Sequence, residues 1–232
     1  MRKKLLISGA SSGIGLATAE HFIEHGYSVM NLSRRPSPLD AVQNVRCDFL
    51  ASNVDDILTS KVAPWLADAT KLVVVHNAAR LRSDTVENTD SDALRDVLEI
   101  NIVAANRINR CALPGMPPGS SVVYVGSTLS EKAVANSFSY VTSKHAVVGM
   151  MRATCQDLVG RNIHTLCVCP GFTDTQMLRE HVPEEFMPTL GQMSAFGRLI
   201  EPTEIARTIY WSSGNPVLNG AVLHANLGQI ER

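Results

Sequence analysis

Short, unbroken runs of valine, isoleucine and leucine recur along this chain, and segments with helical periodicity separate most of them. Residues 72–75 (Leu-Val-Val-Val) are typical, and residues 3–8, 121–125 and 163–169 follow the same pattern. Strands without polar alternation are buried on both faces, which is the situation in a parallel sheet covered by helices. The pattern predicts one doubly wound α/β domain over residues 1–232, with a mostly parallel seven-stranded sheet and helices on both faces.

Composition excludes several classes of function. The formal net charge is −1, so we expect no nucleic-acid partner. No apolar run reaches membrane-spanning length, so no membrane partner is expected, and the apolar stretch near the start is too short for a signal peptide. The five cysteines are interpreted as reduced thiols of a cytoplasmic protein. The seven histidines show no ligand-like pairing, so no metal site is expected.

A glycine-rich loop lies between the first predicted strand and the first predicted helix. Its sequence, Gly9-Ala-Ser-Ser-Gly-Ile-Gly15, lets a pyrophosphate approach the backbone at a helix N-terminus. A glycine-rich turn without a ligand is the alternative. The predicted cofactor contacts in this loop are Gly9, Ser11, Ser12, Gly13, Ile14 and Gly15.

The end of the second strand indicates which dinucleotide this loop would bind. An acidic residue there would receive the adenosine ribose 2′-hydroxyl, but the chain has Ser33, followed by Arg34 and Arg35. A hydroxyl and guanidinium groups favour a 2′-phosphate, which a carboxylate would repel. We therefore expect NADP(H), with NAD(H) as the alternative, in which case the two arginines would be solvated loop charges.

Tyr140 and Lys144 are four residues apart in a segment that is predicted to be helical. At this spacing the phenol and the ammonium project from the same helix face. A cation beside a phenol favours the phenolate, so the pair could act as a proton-transfer device. Such pairs are also common on solvated helices, and the interpretation therefore depends on the other motifs of the chain.

Those motifs occur in a fixed order: the glycine loop, Asp48 after the third strand, His76-Asn-Ala-Ala79 after the fourth, Asn101 within a helix, Ser127 after the fifth strand, Tyr140-x-x-x-Lys144, and Pro170-Gly171 after the sixth strand. With these motifs the chain resembles the classical short-chain dehydrogenase/reductase family over essentially its whole length. The resemblance implies a Rossmann-type NAD(P)-binding domain.

The resemblance also implies a mechanism. Ser127 would hydrogen-bond the substrate oxygen and Tyr140 would exchange its proton. Lys144 would support the Tyr140 phenolate and bind the nicotinamide ribose, and Asn101 would hold a water that links Lys144 to solvent. The implied activity is hydride transfer between NADP(H) and a small-molecule carbonyl or secondary alcohol. The alternatives are a cofactor-binding redox sensor without significant turnover, and a family member that catalyses epimerisation or dehydration.

Further cofactor contacts follow from the resemblance. Asp48 and Phe49 would lie by the adenine, and the remaining positions would contact the adenosine and nicotinamide halves: Asn77, Ala78, Ala79, Pro170, Gly171, Thr173 and Thr175. Three positions depart from the family pattern. Ala79 replaces a usual glycine, Ser8 replaces a usual threonine, and the segment 226–228 (Asn-Leu-Gly) replaces an acidic residue followed by two glycines.

The variable substrate loop is expected at about residues 175–197. Its apolar residues alternate with charges, which is typical of an amphipathic lid over an apolar pocket but equally of a small packed helical hairpin. Leu129, Val134 and Phe138 would form the opposite wall, so a moderately apolar ketone or secondary alcohol is favoured. Arg179 is interpreted as a solvated charge. The Tyr140 helix is apolar on several faces, which indicates a homodimer or homotetramer.

Overall fold

Seven parallel strands form one continuous sheet in the computed structural model, which describes residues 2–229. The strands are β1 (Lys3–Ser8), β2 (Ser28–Ser33), β3 (Val42–Arg46), β4 (Lys71–His76), β5 (Ser121–Val125), β6 (His164–Pro170) and β7 (Val222–Ala225). Their order is β3-β2-β1-β4-β5-β6-β7, and every neighbouring pair is parallel. The predicted doubly wound fold is confirmed.

The helices lie in the connections between strands. They are α1 (Gly13–Glu24), α2 (Val54–Ile57, Leu58–Val62 and Ala63–Leu66), α3 (Ser91–Leu98, Glu99–Val103 and Ala104–Ala112), α4 (Phe138–Asp157), α5 (Gln176–His181), α6 (Met187–Gln192) and α7 (Pro202–Ser213). The middle segments of α2 and α3 are π-helical turns. Asp90 begins α3, since its side chain accepts a hydrogen bond from the Ala93 N–H at 2.7 Å. Within residues 2–229, no helix combines the length and the apolar character needed to cross a bilayer.

Successive residues of the central strands point to opposite faces of the sheet, and both faces are buried. In β1, Leu5 and Ile7 join a core that includes Phe22 of α1 and Ile205 of α7. Leu6 joins the core on the other face, to which α2, α3 and α4 contribute. This arrangement explains the unbroken apolar runs, because a side chain on either face of these strands is removed from water.

The chain leaves β1 towards one edge of the sheet and β4 towards the other, so a crevice opens at the carboxyl ends of these two adjacent strands. The Ser8 hydroxyl bridges the crevice floor: it accepts hydrogen bonds from the backbone N–H groups of Asn77 and Ala78 at 3.1 and 3.0 Å. Ser8, at the position where the resemblance implies a threonine, therefore fixes the end of β1 to the loop after β4.

An aromatic cluster joins α1 to α7 on one face of the sheet. The Phe22 ring is fully buried, and its centroid lies 4.9 Å from that of Tyr27 and 5.1 Å from that of Tyr210, both edge-on. Offset and edge-on ring pairs add to the stabilisation that burial alone supplies. Phe22 is therefore a principal contact between the first and last helices.

Replacement of Phe22 by alanine is expected to lower the free energy of unfolding by about 3–5 kcal/mol, because it leaves a large cavity in a packed core. Urea denaturation followed by circular dichroism measures this loss. Phe196→Ala is the matched control, since that ring is 70% exposed, and it should change the free energy by less than about 0.5 kcal/mol. Equal losses in the two variants would contradict the assignment of Phe22 to the core.

Candidate active site

The glycine loop closes tightly against the loop after β4. Gly9 and Gly13 have φ values of 78° and 54°, a conformation that favours glycine. A Cβ on Gly15 would lie 2.1 Å from the Gly9 carbonyl oxygen and 2.5 Å from Asn77 Nδ2. The same Asn77 Nδ2 donates to the carbonyl oxygens of Ser8 and Gly9 at 3.2 and 2.9 Å. The loop therefore excludes side chains at these positions and presents backbone instead.

The loop also ends at a helix terminus that suits an anion. Ser12 is the N-cap of α1 and its side chain makes no capping bond. The first turn, beginning at Gly13, contains no acidic residue. N–H groups at such a terminus, together with the helix dipole, bind phosphates. Ser11, Ser12, Gly13 and Ile14 are all half-buried, so the predicted loop residues form a cradle that fits a dinucleotide pyrophosphate.

Asn31 fixes the glycine loop to the end of β2, and it was not among the predicted site residues. Its side chain is 1% exposed and accepts a hydrogen bond from the Ala10 N–H at 2.9 Å. Its Nδ2 donates to Ser33 Oγ at 2.8 Å and to Asn44 Oδ1 at 2.9 Å. The signal in the sequence is a single amide within the apolar run of β2, since a buried amide requires partners.

The end of β2 presents two exposed cations. The Ser33 hydroxyl donates to the Arg35 carbonyl oxygen, and Arg34 and Arg35 are both exposed. Arg35 Nη2 reaches Gln176 Oε1 at 3.4 Å, whereas Arg34 makes no ion pair within residues 2–229. Both guanidinium groups are therefore accessible to an anionic ligand at this edge.

The adenine-side residues differ in exposure. Asp48 is exposed after β3, and its Oδ1 accepts a hydrogen bond from the Leu50 N–H at 3.1 Å. The Phe49 side chain is buried in the core beneath α2, which leaves only its main chain for a ligand. Ala78 and Ala79 are half-buried beside the glycine loop.

The loop after β6 reaches the glycine loop from the other side. Gly171 N–H donates to the Ala225 carbonyl at 3.1 Å, which continues the pairing of β6 with β7 beyond Pro170. Thr175 lies against Gly13, where an added Cβ would be 3.2 Å from Thr175 Cγ2. Thr173 is buried, and its hydroxyl donates to the Gly171 carbonyl at 3.1 Å.

Lys144 is the central charge of the site. Its side chain lies in the interior, the residue being 3% exposed, and Nζ donates to the Val125 carbonyl at the end of β5 at 2.8 Å. The same Nζ is 5.4 Å from the centroid of the Tyr140 ring. Tyr140 is half-buried, as is Ser127, which follows Val125 by two residues. The fold therefore brings Ser127, Tyr140 and Lys144 to the carboxyl end of β5.

Two buried side chains hold the helix that carries Tyr140. Asp84 accepts hydrogen bonds from the backbone N–H and the hydroxyl of Ser139, at 3.0 and 2.5 Å, and so fixes the start of α4. Asn101, in the π turn of α3, donates from Nδ2 to Ser143 Oγ at 2.8 Å. Asp84 was not predicted, because its partner is 55 residues away in the sequence.

The amide of Asn101 is almost fully used within the protein. Its Oδ1 accepts from the Arg80 N–H at 2.7 Å, and its second Nδ2 hydrogen goes to the Arg80 carbonyl at 3.1 Å. Since Ser143 takes the other hydrogen, only one lone pair of Oδ1 is left for a water. The resemblance implies that Asn101 holds a water, but its side chain has only this one acceptor position left for that water.

The expected substrate loop folds as α5, a 3₁₀ turn (Glu184–Phe186) and α6. The Met187 side chain is buried, whereas Phe186 and Phe196 are exposed. His181 Nε2 lies 3.2 Å from the Leu81 carbonyl oxygen, and the Ala195 N–H donates to the Leu227 carbonyl. The loop is therefore a helical hairpin held at both ends, with apolar side chains left on its outer surface.

Arg179 is exposed, as expected of a solvated charge, and it is also ion-paired. It forms a bidentate ion pair with Asp174 at 2.7 and 2.8 Å, and its Nη1 contacts Glu184 at 3.0 Å. The Arg179 guanidinium holds the pKa of Asp174 below its usual range. Both acidic partners lie in the same loop, five residues away on either side, and a helical turn brings them within reach.

His21 and His25 form a histidine pair at helical spacing, so the expectation that no histidines are paired in a ligand-like way was wrong. His21, Glu24 and His25 place their ligand atoms within 4.8 Å of one another on the surface, at the opposite end of α1 from the glycine loop. His25 Nδ1 contacts the His21 carbonyl oxygen at 2.7 Å, and both rings pack against Tyr210. The cluster lies apart from the residues around Lys144.

All five cysteines are free thiols. Cys167 and Cys169 lie on one face of β6 with their sulfurs 3.7 Å apart, as the alternation of a strand requires. The hydrogen bond with Cys169, together with burial, raises the pKa of Cys167. The pair packs beneath Gly126, which directly precedes Ser127.

Comparison with known proteins assigns the chain to a family. A family model described as enoyl-(acyl carrier protein) reductase matches residues 9–229. The chain belongs to the short-chain dehydrogenase/reductase family. This confirms the resemblance inferred from the motifs. The chain is an NAD(P)-dependent oxidoreductase acting between carbonyl and CH–OH groups.

Relatives of this dehydrogenase/reductase align over nearly their full length. It is 27% identical to a 3-oxoacyl-[acyl-carrier-protein] reductase of Vibrio cholerae over 97% of this chain and 96% of the relative. It is 28% identical to carbonyl reductase family member 4 of Xenopus laevis, with 96% of each chain covered. The solved structure of an angucycline C-6 ketoreductase with bound NADP superposes with a TM-score of 0.87 at 27% identity, covering 97% of this chain and 95% of that chain.

Gly15→Ala is expected to weaken binding of NADPH at least about tenfold, because the new methyl group would overlap the Gly9 carbonyl oxygen and force the loop out of its cradle shape. Quenching of protein fluorescence on titration with NADPH measures the affinity. Gly115→Ala is the control, since a Cβ there meets nothing within 4 Å. Unchanged affinity in Gly15→Ala would show that the cofactor does not depend on this loop.

Proposed function

We propose that this chain is an NADP(H)-dependent reductase that interconverts a carbonyl group and a secondary alcohol, with Tyr140 as general acid and base. The observation that carries the proposal is the placement of Lys144. Its ammonium is buried, hydrogen-bonded to the end of β5, and 5.4 Å from the Tyr140 ring centroid. A cation held there stabilises the phenolate, and Ser127 stands at the same edge of the sheet.

The four side chains have separate roles. A bound nicotinamide supplies a hydride to the substrate carbon, or accepts one from it. In the reductive direction the substrate oxygen gains negative charge, to which the Ser127 hydroxyl donates a hydrogen bond while Tyr140 transfers its proton. In the oxidative direction the Tyr140 phenolate removes the alcohol proton. Lys144 stabilises the phenolate, and Asn101 positions α4 through Ser143.

The cofactor would lie across the crevice between the loops after β1 and β4. We assign its pyrophosphate to the glycine loop, its adenine to the edge at Asp48, and its nicotinamide to the loop after β6. The close contact of Thr175 with Gly13 supports this path, because it brings the two loops to opposite sides of one groove. Tyr140 and Lys144 then stand at the nicotinamide end.

NADP(H) is the cofactor we propose, in preference to NAD(H). The end of β2 carries Ser33 and no carboxylate, and the Arg34 guanidinium is exposed and without an ion pair within residues 2–229. A guanidinium recognises a phosphate by paired, charge-assisted hydrogen bonds. The ketoreductase with a similar structure was solved with NADP bound, which is consistent with this choice.

A moderately apolar ketone is the substrate class that we favour. Val134 and Phe138 are exposed on the side of Tyr140 where substrate is expected, and Phe186 and Phe196 are exposed on the substrate loop. These rings and methyl groups offer apolar surface to a substrate. The relatives are named as reductases of a 3-oxoacyl group and of carbonyls, which is consistent with a ketone.

The apolar surface of α4 bears on the assembly of the protein. Along α4, Ala146 is exposed and Val141 and Met150 are half-buried, so this helix retains apolar surface away from the sheet. We propose a homodimer or homotetramer that buries this surface. We also propose a cytoplasmic location, which the five free thiols support.

Tyr140→Phe is expected to lower kcat for carbonyl reduction by about 10²–10⁴-fold, because it removes the proton donor without changing the ring's shape. NADPH affinity should be unchanged within about twofold, since the ring is retained. Loss of NADPH absorbance with a panel of ketones measures turnover. Tyr210→Phe is the matched control, since that residue packs in the aromatic cluster between α1 and α7.

The outcomes of this test separate the candidate functions. Full turnover by Tyr140→Phe would contradict the assigned proton donor. NADPH binding by the unaltered protein, without turnover of any carbonyl or alcohol, would instead favour a redox sensor.

Arg34→Ala is expected to weaken NADPH binding by about tenfold or more, because a phosphate–guanidinium contact contributes roughly 1.5–3 kcal/mol. NADH binding should be unaffected. Isothermal titration with each cofactor measures both affinities, and Arg207→Ala, at another exposed arginine on α7, is the control. Equal affinity of the unaltered protein for NADH and NADPH would overturn the choice of cofactor.

A further inference from the structure

A chain of buried polar side chains extends from β4 into the layer of helices behind it. His76 Nε2 lies 2.8 Å from Asn109 Oδ1, and Asn109 Nδ2 donates to the Tyr124 hydroxyl at 2.7 Å. The Tyr124 hydroxyl lies 2.9 Å from Thr154 Oγ1. All four residues are at most 8% exposed. The site described above uses none of these four side chains.

The direction of each hydrogen bond in this chain can be assigned. The Thr154 hydroxyl donates to the Met150 carbonyl at 2.9 Å, so its oxygen accepts the proton of Tyr124. The Tyr124 oxygen in turn accepts from Asn109 Nδ2, which leaves Asn109 Oδ1 as an acceptor. His76 must therefore carry its proton on Nε2 and keep a lone pair on Nδ1.

His76 Nδ1 is a buried acceptor without a partner among the protein groups of residues 2–229. Burial lowers the pKa of His76 to about 4, although the bond to Asn109 opposes this shift. The ring is therefore neutral near pH 7, and the lone pair persists. An unpaired buried acceptor is costly, so native proteins usually provide a water for it.

A small internal cavity adjoins His76 and has room for about one water molecule. Its polar lining comes from Ser8, His76, Asn101, Tyr124 and Lys144, and the rest of its wall is mainly apolar. Lys144 has two N–H donors left after its bond to the Val125 carbonyl. The Ser8 oxygen accepts two N–H groups, and its hydroxyl proton is left to donate to a water. A buried water typically makes about three hydrogen bonds, and this lining can supply them.

We propose that His76 is a positioning residue for proton transfer. Its Nδ1 accepts a hydrogen bond from one water in this cavity, and this bond orients the water so that its oxygen accepts a hydrogen bond from the Lys144 ammonium. The inference rests on the proposed function, in which Lys144 supports the Tyr140 phenolate. The ammonium has three donors. The Val125 carbonyl takes one and the water a second, so the third is directed to the Tyr140 side.

His76 also supplies a hydrogen-bond acceptor for the water, which the Asn101 side chain can offer only with one remaining lone pair. The Asn101 amide gives both hydrogens and one Oδ1 lone pair to protein groups. The acceptor that orients the water is therefore supplied by β4, through His76, more than by α3. The Asn109–Tyr124–Thr154 chain fixes the tautomer that makes this acceptor available.

His76→Leu is expected to lower kcat for ketone reduction by about tenfold or more, because the ammonium loses a fixed partner and the phenolate is less well stabilised. KM for the ketone should stay within about twofold, since substrate contacts are unaltered. The solvent deuterium isotope effect on kcat should rise, because proton transfer from Tyr140 becomes more rate-limiting. A merely structural role would change the melting temperature and leave the isotope effect alone.

Two further variants serve as controls. His164→Leu removes another buried histidine, which begins β6 at the opposite end of the sheet. Its Nε2 lies 3.2 Å from the Ser212 carbonyl oxygen. It should lose stability and keep its kcat and isotope effect. His76→Asn keeps an acceptor where Nδ1 stands and loses the contact with Asn109, so it should recover most of the kcat that His76→Leu loses.

The results distinguish this inference from the proposed function. If Tyr140→Phe abolishes turnover while His76→Leu matches His164→Leu in kcat and isotope effect, the role of His76 is wrong and the proposed function stands. If Tyr140→Phe retains turnover, the proposed function itself fails. ¹⁵N NMR of the unaltered protein provides a check that needs no variant: a neutral His76 protonated on Nε2 is expected, and protonation on Nδ1 would overturn the inference.

Discussion

The buried ammonium of Lys144 is the interaction on which the site depends. A charge removed from water is stable only where the surrounding groups replace its hydration. Here the Val125 carbonyl does so directly, and this contact places the charge at the end of a central strand. Tyr140 shares the helix with Lys144, so its position follows. Asp84 and Asn101 hold that helix at its start and along its first turns. Loss of either contact would move the Lys144 ammonium and the Tyr140 phenol together.

Side-chain hydrogen bonds between neighbouring strands and loops fix the shape of the cofactor half of the site. Ser8, Asn31 and Asn77 are short polar side chains, and each connects the glycine loop to a neighbouring strand or to the loop that follows it. Their hydrogen bonds use donors and acceptors that the loop would otherwise have to leave unsatisfied. These contacts shape the loop without the help of a ligand, and such preorganisation reduces the entropy lost on binding.

The sequence predicted the fold well, because short apolar runs that alternate with helical segments are typical of a parallel sheet covered on both faces. The limits of β5 agree with the structure at both ends, and both faces of the sheet are buried as the runs required. The π turns in α2 and α3 were not visible, since nothing in a helical periodicity marks one extra residue in a turn. Polar contacts were the least predictable: His76 meets Asn109 across 33 residues and Tyr124 meets Thr154 across 30. Such pairs depend on tertiary packing, which no local pattern encodes.

The ion pairs of Arg179 have a consequence for the local fold of the substrate loop. They join the start of the substrate loop to its middle turn through Asp174 and Glu184, and the Arg179 and Glu184 side chains are exposed. Exposed pairs contribute little free energy, and that contribution falls as dissolved ions screen the charges. The ion pairs that fold the start of this loop are therefore expected to weaken as ionic strength rises. The Lys144 ammonium differs in this respect, because it is buried and dissolved ions screen its contact with the Val125 carbonyl much less.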